Sequence, residues 1–543
     1  MTLAIINMST PLPNHPGNNG IAPNSTIVSN WVNVSSMYQL TAIISQVNSP
    51  GTIYIDQSND QITYTSVSSA YTELEQLTTS ASSQYARIRV VTGSGYTNSG
   101  YAYLSGTTAI SGAIIDNGGQ VFNVKAYGAK GDGTAESPTA CQDAINAASA
   151  AGGGIVLFTG VFIFNAAPQV GPGSSAYCLS VPSNVVLFIG PGSKLSITNA
   201  LNAGVVLFPT NATKVGVIGK GIIDGNKANQ TDSGVDGSQT AIYGGALTYW
   251  ELDIQVQNCI RQGVYISNSS WGNGRILAMN NGTSTNQCSG VEDDANNFSE
   301  FNVFAINNLG AGFRWVGGAT VIDNKTIATV ISYGNLYGVN GVNKQGGILK
   351  VISESNTSHG IFLQSCVECS IMGYSDGDGA VSQGNGFYDY DGTDNVFIGP
   401  ISRNSDNDAF RIYGSTNTVI IAPQFLGQNT NAIEIDSTSA GVHVSGGRIA
   451  GAVSNASTTT IIKDVAGYNP TGPQTAPTMP ASGTALTNPF PFDSNVYVSG
   501  GTVTAIAVGG TATGLTSGAV FVAAGETITL TYSAAPTWVW IGN

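Results

Sequence analysis

Gly263-Val-Tyr-Ile-Ser267, Gly290-Val-Glu-Asp-Asp294, Gly312-Phe-Arg-Trp-Val316 and Gly338-Val-Asn-Gly-Val342 are four versions of one phrase. Four more follow: Gly360-Ile-Phe-Leu-Gln364, Gly386-Phe-Tyr-Asp-Tyr390, Ala409-Phe-Arg-Ile-Tyr413 and Ala432-Ile-Glu-Ile-Asp436. Each has an Asn a few residues ahead, a small residue, and then a short alternating strand. From 263 to 432 the phrase advances 169 residues in seven intervals, about 24 each. Short strands with Gly and Asn turns at that period predict a parallel β-helix, in which every coil buries its inward side chains against the coils above and below. Asn at the turns suits left-handed corners and side-chain ladders. A leucine-rich repeat has a similar period, but the LxxLxLxxN frame is absent.

The beginning of the solenoid is also readable. Val121-Phe-Asn-Val-Lys-Ala-Tyr-Gly-Ala-Lys-Gly-Asp-Gly133 leads to Ser137-Pro138, an N-cap and first-turn pair. Ala140, Ala144, Ile145 and Ala148 then recur at helical spacing, Gly152-Gly-Gly ends the helix, and Ile155-Val-Leu-Phe158 starts a strand. A single helix with one apolar face fits a cap over the open end of a coil stack. This opening resembles that of the pectate-lyase-like right-handed β-helix superfamily, in the form found in phage tailspikes and polysaccharide depolymerases. The resemblance rests on the Asn-Val-Lys-x-Tyr-Gly-Ala-Lys-Gly-Asp-Gly run and the Ala-Gly-Gly-Gly after the helix, and extends over roughly 121 to 450. It departs at Ala135-Glu136, where an acidic pair is usual, and at Phe158-Thr-Gly-Val161, where Phe-Pro-x-Gly is usual. It implies a fold rather than a reaction, and Asp132 reads as a turn residue.

The predicted organisation is all-β: an N-terminal arm (1–23), a β-sandwich for attachment or glycan binding (24–115), and a right-handed β-helix with its capping helix and groove (121–464). A Pro-rich linker (465–496) and a small C-terminal β domain (497–543) complete the chain. Trp538 and Trp540 share one strand face and read as core or subunit contact before sugar platform.

Composition narrows the function. Net charge is −14, yet only 9% of the 543 residues are charged, so a basic nucleic-acid surface is not expected. No apolar run is long enough to span a membrane. Met1 to Gly17 lacks Lys and Arg, which predicts no Sec-type signal peptide and points to a virion or otherwise extracellular protein. Six cysteines in so long a chain do not make a disulfide scaffold, and Cys366-Val-Glu-Cys369 with three His in the chain reads as buried rungs rather than zinc.

The chemistry must then sit on outward side chains. Stacked about 4.8 Å apart, the phrases give one outward column: Tyr265, Glu292, Arg314, Asn340, Phe362, Tyr388, Arg411, Glu434. A second column runs two residues along: Ser267, Asp294, Val316, Val342, Gln364, Tyr390, Tyr413, Asp436. Glu292 and Asp294 are the first candidates for catalytic carboxylates, roughly 6.5–7 Å apart at Cβ, within range of either glycosidase geometry. Asp293 belongs to the same acidic cluster and is taken with them, although the register turns it inward. Glu434/Asp436 and Asp389/Asp391 are further pairs. Asp224 in Gly221-Ile-Ile-Asp-Gly-Asn226 resembles a polygalacturonase-like phrase and is equally a turn residue, whereas His359 reads more simply as a turn residue. Tyr265, Arg314, Phe362, Gln364, Tyr388, Tyr390 and Arg411 are the expected substrate-binding groups.

Three function classes follow. A glycoside hydrolase acting on a bacterial surface or extracellular polysaccharide, with no metal and no cofactor, is favoured. The runner-up is a polysaccharide lyase, in which Glu292 and Asp294 would hold Ca²⁺ and Arg314 would act beside a uronate. The negative net charge counts against that reading. The third is a non-catalytic glycan-binding tail fibre. The tailspike resemblance further implies a parallel homotrimer, with contacts through residues 497–543. Light scattering of the intact protein should therefore return about three times the 55.7 kDa chain mass; a value near one chain mass refutes the trimer.

Overall fold

The computed structural model separates the chain into two compact units, 1–116 and 117–543. It describes residues 2–7, 26–28, 32–33, 37–45, 51–71, 75–80, 85–92 and 101–108 of the first. Of the second it describes 120–542, except 236, 284–287, 319–325, 380–383, 428–429 and 469–471.

The first unit contains two antiparallel sheets. One orders the strands Thr2–Asn7, Tyr101–Thr108, Met37–Ser45 and Glu75–Ser80; the other runs Thr26–Val28, Tyr85–Thr92, Gly51–Ser58 and Thr65–Tyr71. The expected N-terminal arm is therefore corrected in part: residues 2–7 pair with 101–105 as an edge strand. Alternation buries Ile53, Ile55, Ile88 and Val90. Asp56 is buried among them, and burial alone would raise its pKa. Hydrogen bonds from Arg89, Ser66 and Arg87 outweigh that and hold it below the ordinary carboxylate range.

The second unit is a parallel β-solenoid of about 12 turns. Its helix, Thr139–Ala150, buries Cys141, Ala144, Ile145 and Ala148 over the first coils. Pro138, not Ser137, occupies the N-cap position, and Ser137 Oγ instead accepts from the Thr139 amide at 3.3 Å. The three glycines that follow take φ of +91°, +133° and +153°, backbone that a side chain would strain, so the helix stops there. Asp132 accepts from Thr134 N and Oγ1 as a turn residue.

All eight phrases fall on successive strands of one thirteen-stranded sheet, and the pairing is in register: Tyr265↔Glu292↔Arg314↔Asn340↔Phe362↔Tyr388↔Arg411↔Glu434. The residues beside them, Val264, Ile266, Phe313, Trp315, Ile361, Phe387 and Phe410 among them, face a continuous apolar lumen. A second, longer sheet closes the opposite side.

At one corner an asparagine ladder climbs the stack. Asn281, Asn308, Asn335 and Asn356 each take the backbone N–H of the rung before on Oδ1, and Asp378 ends the series as an acceptor for Asn356 N and Nδ2. Buried corner backbone must find partners, and these amides supply them coil by coil.

The Pro-rich stretch is more than a linker. Gly472–Gln474 pairs with Thr537–Gly542, and Ala485–Thr487 pairs with Thr527–Ala534, so it adds strands to both sheets of the C-terminal module. Short extended pieces between prolines carry too little periodicity to be recognised as strands. Trp538 and Trp540 pack in the core of that module, 5.4 Å apart edge to face. Among the described residues no helix is long and apolar enough to cross a membrane.

Asn335→Ala should lower unfolding free energy by about 1–3 kcal/mol for each group it orphans, read from denaturant midpoints. Asn302→Ala, on the solvent side of the long sheet, should stay within about 0.5 kcal/mol. Equal losses in the two variants would deny the ladder its structural weight.

Candidate active site on the thirteen-stranded sheet

The outward columns extend over eight coils, about 34 Å at one strand spacing per coil. Rings occupy the middle. Tyr337, His359, Phe362 and Tyr388 lie 5.2–5.9 Å apart between neighbouring centroids. Tyr390 meets Tyr388 edge-on at 5.8 Å and stacks on Tyr413 at 5.4 Å. Gln364, in register with Tyr390, borders this surface, and Arg411 lies over the Tyr388 ring at 5.5 Å. The expected binding residues Phe362, Gln364, Tyr388, Tyr390 and Arg411 are thus brought together. Tyr265 and Arg314 lie with the carboxylates at the N-terminal end.

At that end Glu292 is nearly buried. Arg314 Nη1 donates to one of its oxygens at 2.9 Å and Gln262 Nε2 to the other at 3.0 Å. Tyr265 Oη donates to Asp294 at 2.8 Å, and burial followed by that hydrogen bond drives the tyrosine pKa far up. Both carboxylates are therefore acceptors from strong donors. Both Glu292 oxygens and one Asp294 oxygen are engaged, and among the described residues no three His, Cys, Asp or Glu converge as metal ligands.

Asp293 must be corrected. It faces the lumen, wholly buried, 3.0 Å from the equally buried Lys344 Nζ, and no substrate on the outer surface reaches it. Burial raises its pKa, opposed by Lys344 and Asn296. Asp389 is likewise inward, accepting from Thr418 Oγ1 at 2.6 Å and Asn395 at 3.1 Å, with burial pushing it up to about 6. It cannot pair with Asp391 on the outer face. Asp224 accepts from Gln257 and from the Asn226 amide, the turn role expected of it.

The C-terminal end is built differently. The residue preceding each phrase forms its own ladder: Asn385 N donates to His359 Nδ1, Asp408 N to Asn385 Oδ1, and Asn431 N to Asp408 Oδ1. Burial, then Arg411, lowers His359 to about 4, so the ring is neutral and acts as an acceptor. Asp408 occupies a rung where its neighbours are asparagines, and it is hydrogen-bonded to Glu434 of the next coil. The equivalent two slots at the other end hold Gln262 and Glu292. There an amide supplies the hydrogen; between two carboxyls the hydrogen must be a bound proton. Burial, then Glu434, raises Asp408 to about 7. Arg411 Nε lies 3.3 Å from the other side of Glu434.

Two residues beyond Glu434, Asp436 receives Gly414 N, Ser439 N and Ser439 Oγ on one oxygen, and Thr438 N and Oγ1 on the other. Its slight burial opposes ionisation, but these donors prevail and lower it to about 2. Asp408, raised towards neutrality, therefore stands near Asp436, which is held well below the usual carboxylate range. Environments that push neighbouring carboxyls apart in this way define acid and anion roles. Glu434 and Asp436 were legible as a pair; Asp408 was not, because nothing local marks an Asp in an asparagine slot.

No family model matches the chain, and no curated protein matches it. Several solved structures are similar. A tailspike protein variant of E. coli bacteriophage HK620, in complex with a hexasaccharide, is 11% identical over 81% of this chain and 95% of that chain, with a TM-score of 0.44. The A-module of the Azotobacter vinelandii mannuronan C-5 epimerase AlgE4 is 17% identical over 64% and 96%, at 0.40. PfbA, a surface adhesin of Streptococcus pneumoniae, is 14% identical over 61% and 85%, at 0.37. Likenesses this distant assign no activity.

The Asp408 proton has a measurable signature. Between the ordinary Asp value near 4 and about 7, the folded chain keeps a proton that the unfolded chain releases. The group's contribution is complete below the unfolded value and is lost as pH rises through about 7. Raising pH from 5 to 8 should therefore weaken the parent relative to Asp408→Asn, whose amide fits the ladder. Denaturant midpoints of the two proteins that run parallel across this range would contradict the assignment.

Proposed function

We propose that the protein binds a polysaccharide along the aromatic columns and hydrolyses it at their C-terminal end. The observation carrying this reading is the placement of the buried Asp408 and the Arg411-bound Glu434 one coil apart, beside the multiply hydrogen-bonded Asp436 and next to the Tyr388–Tyr390–Tyr413 surface. Sugar rings present flat C–H faces and hydroxyl edges, which suits rings flanked by amides, an arginine and carboxylates. Glu434 is the group that meets the glycosidic oxygen. The Asp408 proton passes to Glu434, which delivers it to the glycosidic oxygen as the bond to the sugar carbon breaks; water adds at that carbon and returns its proton to the carboxyl pair, while Arg411 fixes Glu434. Asp436 supplies the negative charge that stabilises the positive sugar ring of the transition state. Asp408 is a positioning residue that holds the proton in reserve. The similar structures include a tailspike variant in complex with a hexasaccharide, a mannuronan C-5 epimerase module and a surface adhesin, in keeping with a surface glycan as substrate and a virion or extracellular setting.

A second reading puts the chemistry at Glu292 and Asp294, favoured by their shared strand and the adjoining Arg314 and Tyr265. Mutation separates the two. Glu434→Gln and Asp436→Asn should each lower turnover by roughly 10² or more, with glycan binding retained, and Asp408→Asn should move the basic limb of the pH–rate profile. Glu292→Gln and Asp294→Asn should act mainly on binding. The opposite pattern moves the active centre to the N-terminal end. Products should carry new reducing ends, show no ultraviolet absorbance, and form in the presence of EDTA. Absorbing products lost on chelation would establish elimination instead.

A further inference from the structure

One corner of the solenoid breaks its own rule. Where the chain enters the long sheet, the bridge residues Gln345, Val367, Thr393, Thr416 and Ala440 stack coil on coil. The residue after each is in the left-handed region: Gly346, Glu368, Asp394, Asn417 and Gly441, with φ between +53° and +67°. Gly, Asn and Asp adopt that conformation readily, and Asn417 Nδ2 donates to Asp394 Oδ1 as an ordinary ladder would. In three earlier coils the same corner follows Thr248, Ser270 and Asn297, and there the occupants are Tyr249, Trp271 and Phe298, at φ of +56°, +56° and +48°. Bulky side chains in this region are strained. They are also 52%, 53% and 42% exposed, so no core contact compensates.

Trp271 and Phe298 stack on each other, with centroids 4.7 Å apart and planes 13° from parallel. Beside them lies a hollow of about 550 Å³ lined by both rings, Asn273, Glu300, Ile327 and Gly346 among others. Asn273 Oδ1 lies in the wall, buried, and accepts no hydrogen bond from the described residues. A stacked aromatic surface beside an unused acceptor matches a ligand with one apolar face and hydroxyl donors at its rim. A flat protein partner would satisfy neither the concavity nor the buried acceptor.

We propose that Trp271 and Phe298 form a second glycan-binding site, on a different face from the carboxylate columns, that takes a pyranose ring against the aromatic pair with a sugar hydroxyl donating to Asn273 Oδ1. The site anchors glycan and takes no part in its cleavage. Rings kept exposed in a strained conformation are explained by ligand contact, since the fold is better served by the Gly, Asn or Asp found at four of the five later corners.

The test begins with an array of bacterial surface polysaccharide fragments, from which the tightest-binding oligosaccharide is taken into calorimetry. The parent should bind two per chain. The double variant Trp271→Asn/Phe298→Asn should melt at the same or a higher temperature, because asparagine suits the corner, and bind one. Tyr388→Ala should remove the other. Two per chain in the double variant overturns the proposal, as does one per chain in the parent that Tyr388→Ala abolishes. So does a double variant that falls apart from an oligomer with its glycan stoichiometry intact, which would make the rings a contact between copies. Failure at Tyr388 alone refutes the groove and leaves this site standing; an array with no binding refutes both.

Discussion

Each coil hydrogen-bonds to the next in parallel and in register, and that alignment converts a position in a repeat of about 24 residues into a column on a surface. Inward columns become one apolar lumen. Corner columns become ladders that satisfy backbone groups no water reaches. Outward columns become extended arrays of like-sized side chains at one strand spacing, about 4.8 Å. Residues far apart in sequence are neighbours by arithmetic alone, so a single register shift would dissolve the aromatic surface, the ladders and the carboxylate pairs together.

The two ends of the outer face show how little sequence separates binding from acid–base chemistry. Gln262–Glu292 and Asp408–Glu434 occupy equivalent slots. An amide in the first donates a hydrogen that it cannot give up. A carboxyl in the second donates one that it can. Exchanging Gln for Asp in a buried rung changes a fixed hydrogen bond into a mobile proton, and dehydration of the rung brings its affinity for that proton into the neutral range.

Much of the fold was legible because the period is written in small residues: Gly or Ala before each strand and Asn at each corner have few other reasons to recur. Inward and outward assignments followed from strand alternation, and the paired column came out residue for residue. Legibility failed where meaning depends on a neighbour one coil away. Asp408 gains its role from Glu434, and the inward Asp293 from Lys344, neither of which is local. Trp271 and Phe298 stood at turns, where aromatics give no periodic signal. Thr2–Asn7 and the two short strands near 473 and 486 are too brief to declare themselves.

The Asp293–Lys344 pair also bears on how the chain is made. Stacked coils ordinarily interact with nearest neighbours alone, so a solenoid grows one rung at a time as the chain leaves the ribosome. This pair skips the coil that carries Trp315, whose ring lies 5.4 Å from the lysine Nζ. Until residue 344 has emerged, the nascent stack carries a carboxylate in its dry interior with no counter-ion. The contact therefore ties three coils into one unit, so that the middle of the stack is held by more than nearest-neighbour terms.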